Sequence, residues 1–152
     1  MPTTHNYIPF VIRLVTPEDA ATWEALRCAH WPDGAADHGS EVASFFAGTL
    51  DEPNAVLLAE LSTGEIAGFT ELSIRSDLPG AGGKRTGYVE GLYIRPEFRG
   101  RGLARRFLCA ARDWACTQGC VAFASDRAGR IIFDSRFQDG FSPASSRGSP
   151  TA

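Results

Sequence analysis

A chain of 152 residues, 43% hydrophobic and 22% charged, can bury one full core without metals or disulfide staples. It has no run approaching the roughly eighteen apolar residues of a membrane span, and its N-terminus lacks the basic-then-apolar layout of a secretion signal. Net charge is −3 with no basic stripe to neutralise a phosphate backbone, which argues against nucleic acid as a partner. The four cysteines show no C-x-x-C spacing and the three histidines no metal-ligand spacing, so we expect reduced thiols, a cytoplasmic protein and no bound metal.

In chain order, residues 1–9 read as a short arm and Phe10–Val15 as a first strand. Thr16-Pro17-Glu18-Asp19 starts a helix: Thr as N-cap, Pro at the first helical position, acids in the first turn. That helix is predicted to reach about His30, with Trp23, Leu26 and Ala29 near one face. Trp31-Pro32-Asp33-Gly34 is a turn, and a polar connection leads to a second helix over Ser40–Gly48. Asp33, Asp37, His38 and Glu41 gather around this connection, either as a solvated loop and helix start or as a rim for a polycation.

Ala55–Leu61 and Ile66–Ile74 are expected to pair as a hairpin across Ser62-Thr63-Gly64-Glu65. Alternation along the second strand puts Glu71 on one face with Phe69 and Ser73. Residues 76–85 form a Gly-rich loop carrying Asp77. The stretch Tyr88–Ile94 (Y-V-E-G-L-Y-I) is a strand whose interior Gly91 marks a bulge or a close approach. Pro96 stops it, and Arg99-Gly100-Arg101-Gly102-Leu103-Ala104 turns directly into an amphipathic helix over Leu103–Gln118. Leu103, Phe107, Leu108, Ala111 and Trp114 should line the inner face of that helix, which Gly119 stops. Cys120–Ala124 is a fifth strand, with Asp126 just past its end.

Strand, glycine turn, helix N-terminus is an order that aims free N–H groups at an anion such as a phosphate. No Lys follows the glycines, as a P-loop requires, and Arg105 stands where a dinucleotide fingerprint needs its third Gly. Residues 1–88 carry five basic and twelve acidic side chains, whereas residues 89–126 carry six basic and four acidic. An acidic front half therefore adjoins a basic loop, suiting a cationic co-substrate and a phosphorylated cofactor respectively.

The R-x-x-G-x-A pattern of Arg99–Ala104, after a strand ending in Arg-Pro, resembles the acetyl-coenzyme A loop of the GNAT superfamily of N-acetyltransferases. W-P-D (31–33), G-F-T-E-L-S-I-R-S-D (68–77), Y-V-E-G-L-Y (88–93) and A-S-D (124–126) narrow the resemblance to aminoglycoside 6′-N-acetyltransferases. It implies an α/β (α+β) GNAT fold: a mixed, mostly antiparallel sheet with a splayed central strand pair and flanking helices. It also implies acetyl-coenzyme A as co-substrate, held by Leu92, Tyr93 and Ile94 on the strand and by Arg99, Gly100, Arg101, Gly102, Leu103 and Ala104 on the loop. The acceptor is then a cationic small molecule, an aminoglycoside, met by Trp31, Asp33, Asp37, Glu41, Glu71, Asp77, Glu90 and Asp126.

Acetyl transfer to an alkylamine needs a group to take the ammonium proton. Glu90, beside the expected bulge, suits that role, and its structural alternative is a strand-face acid paired with an arginine. Asp126 is a second carboxylate, a base or an ammonium anchor, unless it simply caps a helix. The backbone N–H of Leu92 is expected to stabilise the oxyanion of the thioester carbonyl.

Beyond Asp126 the chain departs from the family. Residues 129–138 can be helical, Asp139-Gly140-Phe141 echoes a family turn, and 142–152 read as a flexible tail after a single acetyltransferase domain over 1–141. The terminal strands are missing, which leaves a truncated end or a partner subunit, as in a homodimer, to account for them. No Tyr follows Tyr93 to protonate the leaving thiolate. Two other readings stay open: acetylation of another amine, such as a polyamine or peptide N-terminus, or a coenzyme A-binding domain with a decayed acceptor site.

Overall fold

The structure is a computed structural model, and it describes residues 9–137. Most of the N-terminal arm, the Asp139-Gly140-Phe141 turn and the tail over 142–152 lie outside the described residues. The elements run β1 (Phe10–Leu14), α1 (Ala20–His30), α2 (Ala35–Ala47), β2 (Ala55–Leu61), β3 (Ile66–Arg75), β4 (Thr86–Ile94), α3 (Leu103–Thr117), β5 (Ala122–Arg127) and β6 (Arg130–Phe133). They build one six-stranded sheet in the order β1-β2-β3-β4-β5-β6. All neighbours are antiparallel except β4 and β5, which the α3 crossover makes parallel.

Both faces of the sheet are covered, which is why β2 and β3 are buried almost without alternation. On one face Leu103, Phe107, Ala111 and Ala115 of α3 pack on Leu57, Ala59, Leu72, Val89 and Phe123. On the other, Trp23 and Leu26 of α1 and Val42 of α2 pack on Val56, Leu58 and Phe69. Ala29, expected inside, is exposed; Arg27 takes the inward position, one turn from Trp23.

Two irregularities in the sheet shape the functional region. Glu71 lies opposite Gly91 but Leu72 lies opposite Val89, so Glu90 is the extra residue of a β-bulge. Pairing between β4 and β5 then stops at Val89 and Ser125, and the two strands part from Glu90 onward.

Three sequence expectations are corrected. The second helix begins at Ala35 rather than Ser40, because a 3₁₀ turn over Pro32–Gly34 feeds straight into it, so Asp37, His38 and Glu41 are helical. The fifth strand spans Ala122–Arg127, so Asp126 lies within it rather than past its end. The helix expected over 129–138 is instead the short strand β6, paired antiparallel with β5. Ala128 and Gly129, at φ 53° and 76°, form the tight left-handed turn that joins them. One of the strands read as missing from the sequence is thus present.

Candidate active site

The parting of β4 from β5 opens a cleft of about 440 Å³ that passes beside the bulge. Its walls include Glu90, Gly91 and Leu92 of β4, Ser125 and Asp126 of β5, Leu108 of α3, and His30 and Trp31 at the end of α1. The backbone of β4 presents hydrogen-bonding groups to this cleft. Arg95 N–H donates to Ala67 O, so Arg95, Tyr93 and Gly91 turn their groups toward β3. Leu92 and Ile94 fall in the alternate set and point their N–H groups to the open side.

At the far end of β4 the chain makes a 3₁₀ turn over Pro96–Phe98 and enters α3 through Gly100 and Gly102, at φ 76° and 81°. No backbone acceptor claims the N–H groups of Gly100 to Ala104 among the described residues. Exposed Arg99, Arg101, Arg105 and Arg106 surround them. Arg99 is anchored by its Nε to Ile94 O at 2.8 Å and lies over the Tyr93 ring, while Arg106 covers Phe10. The strand offers N–H groups to an extended ligand in the cleft, and the loop offers N–H groups, positive charge and a helix dipole to an anion such as a pyrophosphate.

A second pocket, of about 280 Å³, lies on the α1–α2 face and shares Trp31 and Glu90 with the cleft. Arg27, His38, Glu52, Pro53 and Glu71 complete its lining. Arg27 is 6% exposed and organises this side. Its guanidinium donates to Glu71 Oε2 at 2.6 Å, to Glu41 Oε2, and through Nε to His38 Nδ1 at 3.1 Å. Because His38 Nδ1 accepts, its Nε2 carries the proton and donates to Trp31 O at 2.8 Å. Trp23 Nε1 adds a 3.0 Å bond to Glu71. Burial pushes Glu71 above the usual carboxylate value against the pull of Arg27.

The chain of bonds ends on the backbone carbonyl of Trp31, whose ring packs against the bulge. A Cβ on Gly91 would stand 2.5 Å from Trp31 Cζ2, so only glycine admits the ring there. This close approach is what the interior glycine of the strand signals.

Glu90 stands where the two spaces meet, and Arg75 Nε donates to its Oε1 at 2.8 Å. Arg75 also holds Glu52 at 2.5 Å and covers the Tyr88 ring. Glu90 is therefore paired with an arginine and faces both pockets at once. Asp126 Oδ1 accepts from Gly129 N–H at 2.9 Å, so it pins the β5–β6 turn while bordering the cleft. Burial, then the nearby Asp126 and Glu90 carboxylates, push the Tyr88 phenol up.

Of the residues expected to meet substrate, Trp31, Glu71 and Glu90 line the second pocket and Asp126 the cleft. Glu41 reaches the pocket only through Arg27, and exposed Asp33, Asp37 and Asp77 line neither space. Sequence reasoning singled out His38 with the acidic rim but missed Arg27, Glu52, Pro53 and Arg75. The four-residue spacing of Trp23, Arg27 and Trp31 was a usable signal, since it sets a cation between two indoles, one on α1 and one just past its end, with the guanidinium 5.8 and 5.1 Å from the rings. Nothing local marks Glu52. Among the described residues no group of three or more His, Cys, Asp or Glu could hold a metal ion, and no helix is long and apolar enough to cross a membrane.

Comparison with known proteins agrees with this layout. An aminoglycoside N(6′)-acetyltransferase type 1 of Klebsiella aerogenes is 40% identical over 117 residues, 76% of this chain and 77% of that one. The solved structure of aminoglycoside N-acetyltransferase AAC(6′)-Iy in complex with CoA superposes at a TM-score of 0.70 with 26% identity, covering 81% of this chain and 80% of that one. The same enzyme in complex with the bisubstrate analogue CoA-S-monomethyl-acetylneamine gives 0.64 and 28% identity, over 79% and 80% of the two chains. The acetyltransferase (GNAT) family matches residues 20–131, a segment that spans both pockets and the glycine loop. The chain belongs to that family.

Proposed function

We propose that the protein transfers the acetyl group of acetyl-coenzyme A to the 6′-amine of aminoglycosides. The observation that carries this reading is the position of Glu90. The bulge sets its carboxylate between a cleft lined by strand N–H groups and a pocket lined by acids. The relatives named for 6′-acetylation, one solved with a coenzyme A–acetylneamine analogue, support the same acceptor.

The loop N–H groups and arginines bind the pyrophosphate, and the cofactor supplies an activated acetyl thioester at the bulge. Leu92 N–H donates to the thioester carbonyl as negative charge builds on it. Glu90 takes a proton from the acceptor ammonium, directly or through water, and Trp31 walls the reacting groups from bulk solvent. Glu41, Glu52, Glu71 and Glu90 outnumber Arg27 and Arg75, so the surroundings of the pocket favour a cation. Supply of acetyl-coenzyme A sets the reaction in the cytoplasm, and its consequence there is aminoglycoside resistance.

The test is acceptor-dependent thiol release with kanamycin, spermidine and a peptide amine. Turnover with kanamycin at low concentration supports the reading, and preference for spermidine or the peptide replaces it with another amine. Coenzyme A binding without turnover on any acceptor shows a decayed acceptor site.

A further inference from the structure

The proton inventory of the reaction leaves one step unassigned. Glu90 removes the first proton of the acceptor ammonium, but the nitrogen still carries a surplus proton once it bonds to the acetyl carbon, and the sulfur leaves as a thiolate. No Tyr follows Tyr93. Asp126 is engaged by the Gly129 N–H. Tyr88 is 7% exposed, packed among Leu78, Ala81 and Ala124, and its phenol is held in the protonated form.

Among the residues lining the cleft, His30 brings an imidazole, a group that can both accept and return a proton near neutral pH. It is the last residue of α1 and lines the cleft together with Glu90, Gly91 and Leu92. Its Nε2 would stand 3.3 Å from a Cβ on Gly91, so the ring lies against the strand at the bulge, one residue from Leu92. The ring is held by aromatic neighbours at centroid distances of 4.5 Å for Trp31, 5.7 Å for Tyr93 and 6.0 Å for Phe69. Neither ring nitrogen makes a hydrogen bond within the described residues, which distinguishes His30 from His38, whose two nitrogens are both committed.

We propose that His30 carries the second proton of the acetyl transfer from nitrogen to sulfur. As the C–N bond forms and the C–S bond breaks, one imidazole nitrogen takes the proton from the acetylated nitrogen and gives it to the departing sulfur. Both atoms are bonded to the same carbon, so a single ring position serves both, and His30 ends as it began. This rests on the acetyl-transfer reading above.

The surroundings suit the task. Burial lowers His30 below the ordinary imidazole value, so the ring is neutral at neutral pH and can accept a proton. The charged and titratable groups around it are Arg27 one turn back on α1, Glu90 and Tyr93 on β4, and Asp126 and Arg127 across the cleft on β5. Once protonated, the ring gives its proton to the thiolate, which is the stronger base.

The experiment compares parent, His30→Leu and His30→Gln. The variants should bind coenzyme A normally by calorimetry and keep the acceptor KM, while kcat falls by about 10²-fold, the low end for general acid–base catalysis. The acid limb of the parent's kcat profile, where His30 becomes protonated and can no longer accept, should vanish in both. A kcat within twofold of the parent, or a reduced kcat with the acid limb unchanged, overturns the shuttle. A second readout needs no turnover. With only three histidines in the chain, the His30 ring resonance is assigned by its loss in His30→Leu. Saturating coenzyme A should shift that resonance and its titration midpoint, and a resonance blind to coenzyme A overturns the proposal. A parent that acetylates no amine defeats the acetyl-transfer reading and the shuttle together. An active parent with an indifferent His30→Leu defeats the shuttle alone.

Discussion

The cleft proposed for the cofactor and the pocket proposed for the acceptor share Glu90 and Trp31 but are made of different materials. The cleft is backbone: strand N–H groups exposed by the parting of β4 and β5, then a glycine turn and a helix N-terminus. The pocket is side chain: Trp23, Arg27, His38, Glu41 and Glu71, drawn from two helices and a strand, satisfy one another in a buried network. A site made of backbone accepts a ligand through peptide groups that every sequence carries. A site made of an ionic network is set by a handful of residues, and losing one strands the others.

Four substitutions test that division, in order of expected size. Glu90→Gln sits on the boundary and should lower the acceptor-dependent rate by about 10²–10⁴-fold. Calorimetry should show coenzyme A affinity nearly unchanged, because the loop proposed to bind phosphate is untouched. Arg27→Met removes the cation from buried Glu71 and should cost about 3–5 kcal/mol in denaturant unfolding, beyond anything expected from a surface arginine. If Arg27→Met unfolds like the parent, the network is not a unit.

Gly102→Val acts on the backbone site alone. At φ 81° a β-branched residue is strained, and the straightened loop should weaken coenzyme A binding by about tenfold or more, by calorimetry on folded protein. The smallest effect lies away from both sites. Hydrogen bonds from Arg13 hold Asp19 down at about 2, from an ordinary 3.8. The stability this adds is complete above the ordinary value and is lost as pH falls through about 2. Asp19→Asn should therefore cost about 1 kcal/mol at neutral pH once solvent screening at the partly exposed Arg13 is allowed for, and the gap from the parent should close between about pH 4 and 2 in acid unfolding.

The same division decides what could be read in the sequence. The strands over 55–61 and 66–74 were legible because a largely apolar run and an alternating one flank a Ser-Thr-Gly turn. The glycine loop was legible because all of its parts lie within a few residues. The bulge showed itself through Gly91. The acceptor pocket was not legible, because Arg27, Glu52 and Glu71 meet only after the sheet and helices have packed. Arg27 also hid behind its charge, since an inward helix position is normally apolar. β6 was misread because four residues give too short a pattern to oppose a helix, and the Ala128–Gly129 turn has no strong sequence signature at its first position. Glu90 combined both kinds of reading: it was singled out from its neighbours, with pairing to an arginine weighed beside catalysis, and the packed structure supplies that arginine as Arg75.

The early end of pairing between β4 and β5 has a consequence for exchange of backbone hydrogens with solvent. Along Gly91–Ile94, two amides are tied to β3 and two face the gap. In the free protein this strand should exchange in alternation, Leu92 and Ile94 fast, Gly91 and Tyr93 slow, although all four lie in the middle of a six-stranded sheet. A thiol arm lying along the gap would act as an interrupted seventh strand, and the alternation should flatten when it binds. The sheet carries, in its centre, an edge that only a ligand closes.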